Sequence, residues 1–272
     1  MKYVLCCAVF ICLFTFQPLH AQKKKVKDEV ESFYLFKQDW TIAPDLASAA
    51  FFKQIIKEND STYICRYYNK YGPILKQESF KDDQLTIPNG LFCWYNKDGY
   101  LDSSGQFMNG YKDGYWEYYG NQKPYLTITY NDKGIIEQQD FNAGIYIDSN
   151  GTQSSLREKS IKDSLRSDSL RPFQVVAKFN GDWNQYINKN LRIPERLGKV
   201  LVKGRYVVAV SFLIDKEGAV KDVFLVKSSE WSADTEVLRI FKNAPAWIPA
   251  QQNDIPVKYR QKQALTFVVD ER

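Results

Sequence analysis

Histidine, the most frequent general base in enzymes, occurs once in the 272 residues, as His20 inside an apolar amino-terminal stretch. Once that stretch is removed, the chain has no imidazole. This excludes Ser-His-Asp and Cys-His catalysis and every His-containing zinc or iron site. Carboxylates, lysines and tyrosines remain. Paired carboxylates stand at Asp82-Asp83 and at Glu29 with Glu31, in polar, turn-like surroundings where solvated faces are the better account. Asn109-Gly-Tyr-Lys-Asp-Gly114 has closely spaced glycines, but it reads as a hairpin turn and not as a phosphate-cradling loop. The expectation is a protein that is not an enzyme and has no catalytic residues, cofactor or metal. Its working chemistry is then main-chain hydrogen bonding.

Such bonding needs a sheet, and the carboxyl-terminal third is patterned to build one. Arg205 to Asp215 is β-branched and aromatic enough for a strand, with two apolar faces at its centre. Asp215-Lys-Glu-Gly218 signals a tight turn, because Asp can bond its own backbone two residues on and Gly accepts positive φ. Ala219 to Ser228 then alternates, with Val220, Phe224 and Val226 on one side, and the two runs form a hairpin. Ser232 is the expected N-cap of a helix in which Asp234 and Glu236 complement the dipole. Val237, Ile240, Phe241 and Ala244 follow at helical spacing, and Pro245 ends it. A shorter helix is expected from Asp182 to Leu191, with Trp183, Tyr186, Ile187 and Leu191 on one stripe and Pro194 as its stop. The last strand runs from about Lys258 to Val269. Tyr259, Leu265, Phe267 and Val269 share the parity that faces the helices, while Lys258, Arg260 and Lys262 share the other and stay in water. A sheet this small cannot close on itself, so one edge keeps unpaired N–H and C=O groups.

Several spaced motifs run through this region: Phe179-Asn-Gly-Asp182, Asn190-Leu191 with Pro194, Gly204 before Val207-Val208, Val210 and Phe212, Asp215 with Gly218, Val220 and Asp222-Val223, and Pro245, Trp247, Pro249 and Ala250. Over roughly residues 172 to 270 they resemble the TonB C-terminal domain of energy-transducing TonB-like proteins, in its Bacteroidetes type. The resemblance implies an α+β fold, a small antiparallel sheet with two helices. It also implies binding of the TonB box, a short extended segment near the N-terminus of outer-membrane TonB-dependent receptors, in support of transmembrane transport. Binding would be β-augmentation, in which main-chain bonds supply affinity and flanking side chains supply preference. In this chain the edge comprises Lys258, Arg260, Lys262, Gln263, Ala264, Leu265, Thr266, Phe267 and Val268. Its three cations either attract an acidic partner or guard the edge against aggregation. In the family an inner-membrane anchor couples to ExbB and ExbD, which are partners here if the amino-terminal segment is retained. Pairing of the same edge into a homodimer stays open.

Lys2, the apolar run from Tyr3 to about Phe16, Pro18 and Ala21 read as a secretory signal peptide over residues 1–21, cleaved before Gln22. The rival is an uncleaved inner-membrane anchor facing the periplasm. Lys23-Lys-Lys25 opposes the usual orientation rule for a cleaved leader. A periplasmic location follows either way. Residues 22–61 are mixed, and Ala47 to Ile56 is a strand or a short helix.

Over residues 62–150 a pattern recurs, with Tyr68-Asn-Lys-Tyr-Gly72, Tyr95-Asn-Lys-Asp-Gly99, Tyr119-Gly-Asn-Gln122 and Tyr130-Asn-Asp-Lys-Gly134 each setting a turn after an aromatic strand. Gly105-Gln-Phe-Met-Asn-Gly110 and Asp113-Gly-Tyr-Trp116 resemble MORN repeats, which implies an all-β run of hairpins. The aromatic rows fill such an array or bind glycan or peptide; filling is the simpler account. Aligned on their turn motifs, Cys65 and Cys93 fall on opposite faces and stay free, buried thiols. Residues 151–171 form a charged helix or tether, and residues 172–272 the closing domain. Lys and Arg are dispersed among acids and net charge is only +5, which argues against nucleic acid. The function expected from this reading is that of a periplasmic TonB-like protein. The alternative is a cell-envelope scaffold whose hairpin repeats are the main surface for protein binding.

Overall fold

A computed structural model of the chain describes residues 29–166 and 174–270; the expected signal or anchor segment, residues 1–21, lies outside them. Asn-Gly and its relatives set the architecture. At Asn109-Gly110 φ is 49° and 90°, and at Asn121-Gln122 it is 51° and 64°. Positive φ at both centres of a two-residue loop is the type I′ turn, whose twist matches that of the flanking strands. At the Asn96 turn the side-chain oxygen accepts the N–H groups of Asp98 and Tyr100, and at Asn131 that of Lys133. Each repeated Asn is therefore a turn former.

These turns join β1 (Glu29–Phe36), β2 (Phe51–Asn59), β3 (Thr62–Asn69), β4 (Ile74–Phe80), β5 (Gly90–Tyr95), β6 (Leu101–Met108), β7 (Tyr111–Gly120), β8 (Lys123–Asn131), β9 (Gly134–Asp140), β10 (Ile145–Ile147) and β11 (Gln153–Ser155). Among the described residues they form one eleven-stranded antiparallel sheet in chain order. The ambiguous Ala47–Ile56 stretch is strand from Phe51 onward. Strand β1 lies well ahead of the repeat pattern. Glu29 and Glu31, expected in a turn, stand in β1. Asp82 does belong to a turn, where its carboxylate accepts the N–H groups of Thr86 and Ile87.

Helix α1 (Leu156–Arg166) follows, held at its start by a reciprocal pair in which Ser155 N–H donates to the Glu158 carboxylate and Glu158 N–H donates to Ser155 Oγ. Next come β12 (Gln174–Val175), α2 (Trp183–Asn190), α3 (Leu197–Val200), β13 (Gly204–Ile214), β14 (Val220–Lys227), α4 (Trp231–Lys242), β15 (Ala250–Gln252), β16 (Ile255–Val257) and β17 (Tyr259–Val269). β14, β13 and β17 form a three-stranded antiparallel sheet, and β12, β15 and β16 a second small one. The β15–β16 turn is Asn253-Asp254, with φ of 51° and 61°.

Helix α2 begins as expected, with the Asp182 side chain accepting Gln185 N–H. Helix α4 differs. Its N-cap is Glu230, whose carboxylate accepts Ser232 N–H and Ser232 Oγ–H, so Ser232 lies inside the first turn. Glu230 wins this position because Arg196, 2.6 Å away, neutralises it while it is buried.

One hydrophobic cluster serves both sheets. Phe52, Tyr68, Ile74, Cys93, Tyr95 and Leu101 of the long sheet are contiguous with Val208, Phe212, Leu225, Val237, Ile240 and Phe241. Trp231, at the start of α4, packs edge-on against Phe33 and Phe52. Ser228 Oγ accepts Ile74 N–H at 2.9 Å, the Arg196 guanidinium donates to Lys70 O, and Lys242 pairs with Glu58. A one-layer hairpin sheet has no second layer of its own to pack against, so the carboxyl-terminal elements cover one of its faces.

Cys65 aligns with Glu78, and Cys93 with Gln77. Adjacent residues point to opposite faces, so the two thiols are separated by the sheet, as their offset spacing predicts. Both are free and buried, and desolvation pushes their pKa up to about 11 for Cys65 and about 12 for Cys93.

Candidate functional site

β17 pairs with β13 without a break, from Gly204 opposite Val269 to Ile214 opposite Tyr259. That makes β17 an outer strand. Alternate residues of an outer strand turn their N–H and C=O away from the neighbour. Among the described residues no strand or loop is hydrogen-bonded to that outer side.

The opposite margin, on β14, is covered at its Leu225–Ser228 end. Ser228 N–H donates to Gly99 O at 2.8 Å, Tyr95 Oη donates to Leu225 O at 2.9 Å, and Tyr100 forms a bridge with Lys227. Register shifts further interrupt the β13–β14 ladder. The β5–β6 turn thus occupies the end of one edge and leaves the other to solvent.

Burial along β17 alternates as its sequence parity predicts. Phe267 is buried, and Tyr259, Leu265 and Val269 are half-buried in the shared cluster. Gln263 is half-buried on the same face. Lys258 precedes the strand and is exposed, as are Arg260, Lys262, Ala264, Thr266 and Val268. The exposed face is more than water-facing, however. Arg260 lies 3.7 Å from the Asp222 carboxylate and over the Phe224 ring, and Lys262 lies over the Tyr119 ring of β7. Both cations therefore look across a cleft towards the long sheet. Sequence spacing did not place Tyr119 or Glu117 opposite them, because that pairing depends on docking between distant segments.

Tyr119 donates its hydroxyl proton to Glu117 at 3.0 Å, and burial and that carboxylate push the phenol well above its ordinary range. Lys227, on the β14 side of the cleft, donates to the carbonyls of Asp98 and Ser228. Burial lowers its pKa from the ordinary lysine value. Around Lys227 and Lys262 the cleft is cationic on the carboxyl-terminal side and faces the Tyr100 and Tyr119 rings on the other, while Asp222, Glu58 and Glu117 line its further reaches.

Residues 204–269, which run from the first residue of β13 to the last of β17, match the family model for the Gram-negative bacterial TonB protein C-terminal. No curated protein and no solved structure matches the chain. Proteins of the TonB family act in the periplasm or anchored to a membrane, and their C-terminal domain is a non-enzymatic transducing and binding module. Among the described residues no helix is long and apolar enough to cross a membrane. Over residues 204–269 the chain is therefore similar to the TonB C-terminal domain, the module by which TonB-like proteins take part in transport through interaction with outer-membrane receptors.

Proposed function

We propose that this is a periplasmic TonB-like protein, delivered by a cleaved leader, whose β17 accepts an extended segment of an outer-membrane receptor as an added strand. The observation that carries the reading is the asymmetry of the small sheet: β14 is capped by the long sheet's own turn, and β17 is not. Main-chain pairing makes few sequence demands, which suits a protein that serves several receptors. The bound residues are Lys258, Arg260, Lys262 and Gln263 to Val268. The MORN-type identity of the hairpins and their division from a closing domain at residues 172–272 belong to the same proposal, as does coupling to ExbB and ExbD if the amino-terminal segment is kept.

The test is titration of the full chain with receptor amino-terminal peptides, followed by amide shifts along β17. Leu265→Pro and Thr266→Pro are the matched variants. In an antiparallel edge, one of two adjacent residues offers its N–H outward and the other donates it to β13. Proline at the outward position is expected to weaken binding by about tenfold with the fold retained, since it removes one ladder bond and obstructs pairing. Proline at the inward position is expected to lower stability instead. Binding indifferent to both, or shifts confined elsewhere, would sink the reading.

A second reading keeps the hairpin sheet as a scaffold surface. It is favoured by the aromatic row on the face away from the shared core, where Phe92, Trp94, Phe107, Trp116 and Tyr130 are in ring contact and Lys112 lies over Trp116. Truncating residues 172–272 is a poor test, because it would strip the cover from Phe52, Tyr68 and Ile74. Lys112→Glu in the full chain is the cleaner probe: a scaffold loses its partner, and a receptor adaptor does not.

A further inference from the structure

A strand added to β17 points alternate side chains to either face of the small sheet. One face carries the helices. The other looks onto the cleft, where openings of about 330, 420 and 690 Å³ lie between the two sheets. The first has Tyr100 and Tyr119 on the long-sheet side and Val207 and Ala209 of β13 opposite, with Lys227 and Lys262 at its border. Among the described residues no carboxylate lines it. Lys227 donates to carbonyl oxygens, with the Asp98 and Asp234 carboxyls acting on it from behind the recess, and Lys262 is the cation nearest the open edge. Lys262 beside apolar and aromatic walls favours an anionic occupant, since its field is poorly screened there, and Glu117 is already bound by the Tyr119 hydroxyl.

The path to this recess runs over β17. Ala209 aligns with Ala264 and Val207 with Thr266, so the residues between the open edge and the recess are small. Further along the same row stand the larger Lys262 and Arg260, opposite Ser211 and Leu213. A Glu side chain on the cleft side of a guest strand would lie over Ala264, beside the Lys262 ammonium.

We propose that the hairpin sheet is the second wall of the strand-accepting site and that the Lys262–Tyr119 border of this recess receives one Glu side chain of the paired segment. This rests on the strand-pairing reading of β17. It makes Tyr119 and Lys262 specificity-determining residues and gives the long sheet a share in receptor choice.

The test uses the full chain and receptor amino-terminal peptides, each in native form and with its acidic residues replaced by Asn or Gln. Calorimetry supplies Kd, and amide shifts along β17 report pairing. The acidic form is expected to bind about tenfold more tightly, and Lys262→Gln or Tyr119→Ala to bring the two forms together. Equal affinities with β17 shifts intact would overturn the second wall and leave strand pairing standing. Loss of the β17 shifts for every peptide would overturn both. Sodium glutamate alone producing the same Tyr119 and Lys262 shifts would mark a free-anion site and overturn the peptide assignment.

Discussion

Raising the pH from about 4 to about 8 is expected to lower the unfolding free energy by on the order of 4 kcal/mol through one group, Asp234. This residue lies in the first turn of α4 with no exposed surface. Burial pushes its pKa from 3.8 up to about 7, and the charge of neighbouring Glu230 adds to the rise. Bonds from Ser228 Oγ and Ser229 N–H, and the nearby Arg66 guanidinium, pull the other way and lose.

The folded state therefore holds this proton more tightly than the unfolded chain. Its contribution is fully present below pH 3.8 and is lost progressively up to about pH 7. Exposed carboxylates such as Asp82 and Glu158, whose pKa values are lowered by hydroxyl and backbone hydrogen bonds that together outweigh desolvation, act in the opposite sense. Subtracting the pH profile of Asp234→Asn removes them. Urea unfolding at a series of pH values is the measurement, and an unchanged slope in the variant would refute the assignment. Ser228 bonds both Asp234 and the Ile74 N–H of β4, so the same ionisation is expected to loosen the joint between the two sheets. Hydrogen exchange at Ile74 should rise with pH beyond the intrinsic trend.

Gly218→Ala is expected to cost about 3 kcal/mol or more, seen as a lower urea midpoint with an unchanged slope on denaturant. Gly218 has φ of 83°, and a Cβ there would sit 2.0 Å from the carbonyl oxygen of Trp247. Neither segment can yield easily, because Gly218 O also accepts Trp247 N–H at 2.8 Å, tying the β13–β14 turn to the segment that leads into β15. Gly110→Ala is the control. Its φ is 90°, yet the added methyl would meet nothing within 4 Å. That variant should lose only the backbone preference, about 1 kcal/mol. Similar losses for the two would show that the Trp247 contact carries no weight.

Legibility in the sequence followed the range of the interaction. Asp215 and Gly218 predicted their turn because Asp215 bonds Glu217 N–H and Ala219 N–H within the same few residues. Parity along β17 was readable because a strand alternates with period two whatever it packs against. Ser232 was misplaced as a cap because the true cap, Glu230, is held by Arg196, thirty-four positions earlier in the chain. The Ser155–Glu158 capping box is legible in the sequence, but aliphatic residues are too sparse in that helix to mark a buried stripe after it.

Local order thus sufficed for turns, strand faces, the α2 helix and the TonB-like motif spacing, since each depends on neighbours a few bonds apart. Which edge of the small sheet stays open was settled only in three dimensions. The Gly99 turn and Ser228 meet through packing of a shared core, across 129 positions of chain. The cleft that faces Lys262 exists for the same reason: hydrophobic burial is non-directional, and only the assembled shape says which distant surfaces it brings together.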